Sequence, residues 1–203
     1  MCGIVGVISH NKDIVDNYLN VSGGVQKHRG PDIQDACCIQ VKDRFLGFGH
    51  QRLSIIDLTE AGKQPMELRE GNSVIVYNGE VYNYIEIKKS LHNKDYFSDT
   101  DTEVVLNALE ELGIDKAVNI FNGMWAFAWF DKLNNKVYLC RDRAGVKPLY
   151  YYHNGNTLYF ASEVKAILEA SGEQFSLNDQ AVGEYLLQSL QDTNNNSFFS
   201  EIQ

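Results

Sequence analysis

The 203 residues, 44% of them hydrophobic, suffice to bury one substantial core but would be cramped as two full domains. Eighteen basic against 27 acidic side chains give a net charge of -9, and no basic run exceeds Lys88-Lys89, which argues against nucleic acid and anionic membrane as partners. The apolar stretch at 4–8 is interrupted by Gly6, lacks a basic flank and ends in Ser9-His10-Asn11; it is too short for a secretory segment, and a cytoplasmic protein is expected.

Residues 2–8 read as a strand, with glycines at 3 and 6 where another group can approach the backbone. Cys2 heads it. If the initiator methionine is removed, the thiol and a free α-amine titrating near pH 8 share one residue, a nucleophile with its own base. Taken alone, Cys2 is equally an ordinary buried thiol. Residues 13–27 carry apolar side chains at 14, 15, 18, 19, 21 and 25, a helical face. Ser22-Gly23-Gly24 resembles the opening of a pyrophosphate loop, but Val25-Gln26-Lys27 follows where that loop needs Asp-Ser, so no phosphate site is expected. His28-Arg29-Gly30-Pro31-Asp32 breaks the helix as a polar turn.

Residues 36–41 and 45–53 form an antiparallel hairpin around Lys42-Asp43-Arg44. Cys37 and Cys38 point to opposite faces of its first strand and are structural thiols; with Cys2 and Cys140 they make neither a redox pair nor a zinc spacing. Arg52, at the end of the second strand, either clamps a carboxylate through two parallel hydrogen bonds or is solvated. Residues 73–77 are a strand that stops at Asn78-Gly79-Glu80. This dipeptide is a hairpin turn by default, and also supplies the side-chain amide and unobstructed backbone N–H of an oxyanion hole, with Glu80 able to accept from an ammonium.

A short helix spans 82–91. An amphipathic one follows, with apolar positions 104, 105, 108, 109 and 112, a capping box of Thr100 with Glu103, and Gly113 as its stop. The acidic spacing 99, 101, 103 has Val104 where a calcium loop requires glycine, so no metal is expected, and Asp99 and Asp101 can be explained as favouring the helix N-terminus. Strands at 123–131, 136–140, 149–152 and 157–161 and helices at 163–169 and 179–188 complete the pattern, with Arg141-Asp142-Arg143 as an ion-pair turn. Residues 192–200 turn polar and asparagine-rich, like a linker. Seven to nine mostly antiparallel strands with three to five helices indicate an α+β domain of two packed sheets with helices outside.

Seven segments now align in one order: Cys2-Gly3-Ile4; His28-Arg29-Gly30-Pro31-Asp32; residues 49–57; Gly62-Lys63-Gln64-Pro65-Met66; Asn78-Gly79-Glu80-Val81-Tyr82-Asn83; residues 98–103; and residues 142–150. Across residues 2–190 the chain resembles the glutaminase domain of glutamine-hydrolysing asparagine synthetases, class II glutamine amidotransferases of the N-terminal-nucleophile hydrolase type. His50-Gln51-Arg52-Leu53-Ser54-Ile55 with Asn78-Gly79-Glu80 is similar to that branch rather than to those feeding ammonia to sugar phosphates.

The resemblance implies a four-layer αββα sandwich over residues 1–190, with 191–203 a polar linker towards a synthetase domain. It implies Cys2 as nucleophile, Asn78 and Gly79 as the oxyanion hole, Arg52 on the substrate carboxylate with the backbone at Leu53, Ile55 and Ile56, and Glu80 and Asp101 on the substrate ammonium. By the same resemblance, L-glutamine is the expected substrate and a synthetase domain or subunit the expected site of the ammonia acceptor; ATP and magnesium are expected only there, and no cofactor for glutamine hydrolysis. The acceptor, aspartate or another carboxylate, is left open, and a homodimer is compatible. Two other readings compete: a silent module that only binds glutamine or organises a partner, and a related amidohydrolase for a different amide.

Overall fold

The computed structural model describes residues 1–69, 71–189 and 197–203. The first strand, β1 (Gly3–Ser9), is buried along almost its whole length and runs down the middle of a sheet. Helix α1 (Lys12–Val25) follows, its N-terminus capped by the Asn11 side chain, which accepts from the Asp13 N–H. The hairpin β2 (Ile33–Val41) and β3 (Arg44–Arg52) comes next, then a short β4 (Met66–Glu67) and the long β5 (Ser73–Val81). Three helices, α2 (Tyr84–Ser90), α3 (Asp101–Leu112) and α4 (Ile114–Ile120), precede β6 (Gly123–Asp131), β7 (Lys136–Arg141), β8 (Tyr150–His153) and β9 (Leu158–Ala161), and α5 (Val164–Ala170) and α6 (Asp179–Gln188) close the sequence of elements.

The strands form two antiparallel sheets, in the orders β2-β3-β1-β9-β8 and β4-β5-β6-β7. Period-two alternation assigns the faces. Ile4, Leu46, Phe48 and Phe160 of the first sheet meet Val74, Val76, Ala126 and Ala128 of the second in a dry layer between them. On the opposite face of the first sheet, Val5, Val7 and Tyr159 pack under Val15 and Tyr18 of α1 and Ile167 of α5. The second sheet turns Ile75, Tyr77 and Phe127 towards Val104, Val105, Ala108 and Leu109 of α3. The result is the expected αββα sandwich. Each fully buried valine, leucine, isoleucine or phenylalanine here contributes about 1.5–3 kcal/mol relative to exposure. Gly6 bears out the reading of close approach: a Cβ there would lie 2.1 Å from Phe160 Cζ. No helix among the described residues is long and apolar enough to cross a membrane.

Several local expectations change in the folded chain. β5 does not stop at Asn78. It runs through Asn78-Gly79-Glu80 to Val81, with Asn78 opposite Ala126 and Gly79 opposite Trp125, because pairing along β6 overrides a turn signal that rests on two residues. The capping box is half made: Thr100 accepts from the Glu103 N–H at 3.3 Å, but the Glu103 carboxylate accepts from the N–H groups of Phe97 and Ser98 at 2.9 and 2.7 Å. Helix α4 escaped notice because seven residues directly after Gly113 carry too little periodicity. Ser22-Gly23-Gly24 lies inside α1.

The Arg141-Asp142-Arg143 turn is held by charged groups on backbone, not by ion pairing between them. Asp142 accepts from the N–H groups of Trp125, Ala144, Val146 and Lys147, Arg141 donates to the carbonyls of Gly145 and Lys147, and Arg143 donates to those of Val118 and Phe121. Of the stretch read as a polar linker, 191–196 falls outside the described residues. Residues 197–203 pack back on the domain: Leu177 pairs with Phe199, Ile202 is buried in the α1–α5 layer, and Gln203 exchanges backbone hydrogen bonds with Tyr151 at 2.7 and 3.0 Å.

Candidate active site

The pairing of β1 with β3 sets Gly3 opposite Gln51, so Cys2 emerges one residue beyond the sheet, beside the end of β3. The Leu53 N–H donates to Cys2 Sγ at 3.4 Å and the thiol faces the Leu53 carbonyl at 3.7 Å. Burial pushes the Cys2 thiol pKa up, against the opposing pull of the Leu53 N–H, the N-terminal charge and Arg52. At neutral pH this sulfur therefore needs a base to become a thiolate.

Arg52, the last residue of β3, is buried, 5% exposed. It donates to the carbonyls of Thr59, at 2.7 Å, and Asp57. Asp57 in turn fastens the loop: its carboxylate accepts from the Thr59 N–H and hydroxyl and from the Asp99 N–H at 2.8, 2.6 and 3.1 Å. Those hydrogen bonds, chiefly from Thr59, hold the Asp57 carboxyl below its ordinary range. Gly62 leaves room for the guanidinium: a Cβ there would stand 2.1 Å from Arg52 Nη2 and push that side chain aside.

The opposite wall comes from β5 and the first turn of α3. Asn78 is 1% exposed, and its side-chain amide Nδ2 is buried without a hydrogen-bond partner among the described residues. Such a donor is costly unless something enters the cavity to accept from it. Next to it Gly79 lets β5 and β6 close up; a Cβ would meet the Met124 carbonyl oxygen at 2.6 Å and Trp125 Cα at 2.8 Å. Asp101 accepts from the Tyr77 hydroxyl at 2.8 Å and the Val81 N–H at 3.0 Å; burial raises its pKa, opposed by these two hydrogen bonds.

A cavity of about 290 Å³ gathers Cys2, Arg52, Leu53, Ile55, Ile56, Asn78, Gly79, Glu80 and Asp101, every residue singled out from the sequence. Glu80, Ile55 and Ile56 sit on its exposed side. A guanidinium, two carboxylates, a thiol and the unspent Asn78 amide donor border one space, a set suited to a zwitterion with an uncharged acyl group.

Five groups at or beside the cavity were not anticipated. Arg29, read as part of a polar turn, donates through Nε to the Cys2 carbonyl at 2.9 Å, and Asp32 of that turn accepts from the Ser54 N–H at 2.8 Å. Gln64 accepts from the Tyr77 N–H and donates to the Thr102 hydroxyl, tying β5 to α3. Lys147, 7% exposed, points its ammonium at Met1 Sδ, 3.7 Å away. His50, 1% exposed, donates from Nε2 to the Tyr77 carbonyl at 3.1 Å, bridging the two sheets; burial lowers its pKa to about 4, so it is neutral. The motif spans containing Arg29, Gln64, His50 and Lys147 were visible in the sequence, but nothing local shows that their side chains turn inward.

The model of a glutamine amidotransferase domain matches residues 1–203. The chain belongs to this family. Among curated relatives of this amidotransferase domain, it is 42% identical over 201 residues to a Methanocaldococcus jannaschii protein assigned as asparagine synthetase [glutamine-hydrolyzing] 2, covering 91% of this chain and 39% of that one. It is 39% identical over 171 residues to asparagine synthetase [glutamine-hydrolyzing] 2 of Bacillus subtilis, covering 82% and 22% respectively. The chain thus spans well under half the length of these relatives. Among solved structures, the amidotransferase domain superposes on the glutamine phosphoribosylpyrophosphate amidotransferase of B. subtilis with a TM-score of 0.66 at 17% identity, over 83% of this chain and 43% of that one, a likeness of fold.

Proposed function

We propose that this amidotransferase domain hydrolyses L-glutamine to glutamate and ammonia through a thioester on Cys2. The observation that carries the reading is the unspent amide donor of Asn78, buried in the same cavity as the Cys2 sulfur and the Arg52 guanidinium. Removal of Met1 frees the Cys2 α-amine, which takes the thiol proton that burial otherwise retains. The thiolate adds to the side-chain amide carbon, and the oxyanion accepts from Asn78 Nδ2 and the Gly79 N–H. The protonated amine gives its proton to the amide nitrogen as the C–N bond breaks and ammonia leaves; it then takes a proton from the water that attacks the thioester and returns it to the Cys2 sulfur as glutamate departs. Arg52, with the backbone at Leu53, Ile55 and Ile56, takes the substrate α-carboxylate, and Glu80 and Asp101 its α-ammonium. These groups complete the hydrolysis without a cofactor.

The names of the relatives support a role for the ammonia in an amidation of an asparagine-synthetase kind, in a synthetase domain or subunit; ATP and magnesium belong to our reading of that second site. We take the setting to be cytoplasmic, and a homodimer is compatible with it. The test is glutamate release from L-glutamine by the chain, with intact mass recorded on the same sample. Turnover with Met1 gone, abolished in Cys2→Ala, is expected; equal turnover in Cys2→Ala refutes the mechanism.

A further inference from the structure

Cys2 lies outside the strand register: the last pair of β1 with β3 is Gly3 with Gln51, and β1 pairs with β9 only from Val5, opposite Ala161. The segment leading to the nucleophile is instead held by groups at the corner between β9 and α5. The Ile4 N–H donates to Ser162 Oγ at 3.0 Å, the Ser162 N–H donates to the Ile4 carbonyl at 2.9 Å, and two residues back the Cys2 carbonyl accepts from Arg29. Arg29 is itself fastened to Glu163, Nη1 to Oε1, at 2.9 Å.

Glu163 occupies the N-cap position of α5, where a side chain ordinarily accepts from the helix's free N–H groups. It makes no such bond. Its carboxylate turns away and gathers three donors: the Arg29 guanidinium, His28 Nε2 at 2.8 Å and the Lys165 ammonium at 3.1 Å. Burial pushes its pKa up, but these hydrogen bonds outweigh that and hold it charged. The Arg29 side chain is only 9% exposed, with Nη2 buried and unpartnered among the described residues, so the Glu163 carboxylate is what compensates its charge.

We propose that Glu163 is a positioning residue for the nucleophile: by anchoring Arg29 it fixes the backbone of Cys2, and with it the relative direction of the thiol and the α-amine. This rests on the glutaminase reading above. Glu163 touches neither substrate nor the reacting atoms, so its removal is felt in the rate of the chemical step and not in substrate affinity.

The test compares wild type, Glu163→Ala and Glu163→Gln in the full chain. Glu163→Ala is expected to lower kcat for glutamate release about 10- to 100-fold with KM changed by less than about threefold, and Glu163→Gln, which keeps an acceptor for Arg29, to recover part of the loss. Peptide-mapped alkylation of Cys2 by iodoacetamide, which uses no substrate subsite, is expected to slow about tenfold in Glu163→Ala. A kcat within about threefold of wild type in a folded variant overturns the proposal, as does a KM that rises in step with the fall in kcat. If Glu163→Ala does not fold, the same criteria apply to Glu163→Ser, which removes the acceptor from Arg29 but can cap α5. If wild type releases no glutamate, the glutaminase reading fails by itself, and the alkylation rates still decide: equal rates in wild type and variant overturn the positioning role.

Discussion

The two sides of the cavity are built differently. Tyr77, Asn78 and Asp101 are 2%, 1% and 5% exposed and are set by the pairing of β5 with β6 and by hydrogen bonds from β5 to α3, whereas Ile55, Ile56 and Leu58 on the facing rim are 76%, 42% and 78% exposed. The rim is nevertheless ordered, because Asp57 ties its backbone to Thr59 and Asp99, and the carbonyls so placed receive Arg52. One wall is positioned by side chains in a core, the other by backbone around a single carboxylate. Disturbing the first should cost chemistry or folding; disturbing side chains of the second should cost little unless Arg52 moves.

That contrast is open to direct attack. On the buried wall, Asn78→Ala removes the unspent amide donor and is expected to lower kcat for glutamate release by about 10²- to 10³-fold, with KM nearly unchanged; steady-state kinetics on the folded variant checks it, and an unaltered kcat would remove Asn78 from the oxyanion role. At the junction of the two walls, Gly62→Ala drives a methyl group into the guanidinium, which is the mobile partner, so KM for glutamine is expected to rise by roughly tenfold while kcat changes less. A KM equal to wild type would mean that Arg52 does not hold the substrate.

His50 tests the buried wall through pH. Its pKa is lowered from 6.5 to about 4, so the unfolded chain takes up a proton at a higher pH than the native protein does. The stability this group contributes is complete above pH 6.5 and is lost as pH falls towards about 4, an effect of roughly 3 kcal/mol. Urea unfolding at about pH 7 and about pH 4.5 should show that loss in wild type and a smaller one in His50→Gln, whose amide can still donate to the Tyr77 carbonyl. Leu58→Ser on the rim is the mildest case: at 78% exposure it should change stability by no more than about 0.5 kcal/mol, read from the urea midpoint.

The span of β6, the hairpin of β2 and β3 and the start and stop of α3 were legible from the sequence because their signals are local: alternation, turn residues, a cap and a glycine at φ 77°. The candidate site was legible for another reason, as the side chains of glutamine chemistry occur in a familiar order. What failed were inferences resting on two or three residues. Asn78-Gly79 looks like a turn until β6 offers it partners, and Arg141-Asp142-Arg143 looks like an ion pair until backbone N–H and carbonyl groups compete for the charges.

By itself, then, the sequence determined the class of fold, the strand alternation and the identity of the thiol, cation, carboxylates and amide that meet in the cavity. Only the tertiary structure decided that Arg29 holds the Cys2 carbonyl, that Glu163 forgoes its helix cap to hold Arg29, that His50 bridges the sheets and that Asn78 keeps a donor unspent. These depend on contacts between residues far apart along the chain, 134 positions in the case of Arg29 and Glu163. Periodicity and turn chemistry act over a few residues, and where a buried polar group finds its partner is settled only when the sheets close over it.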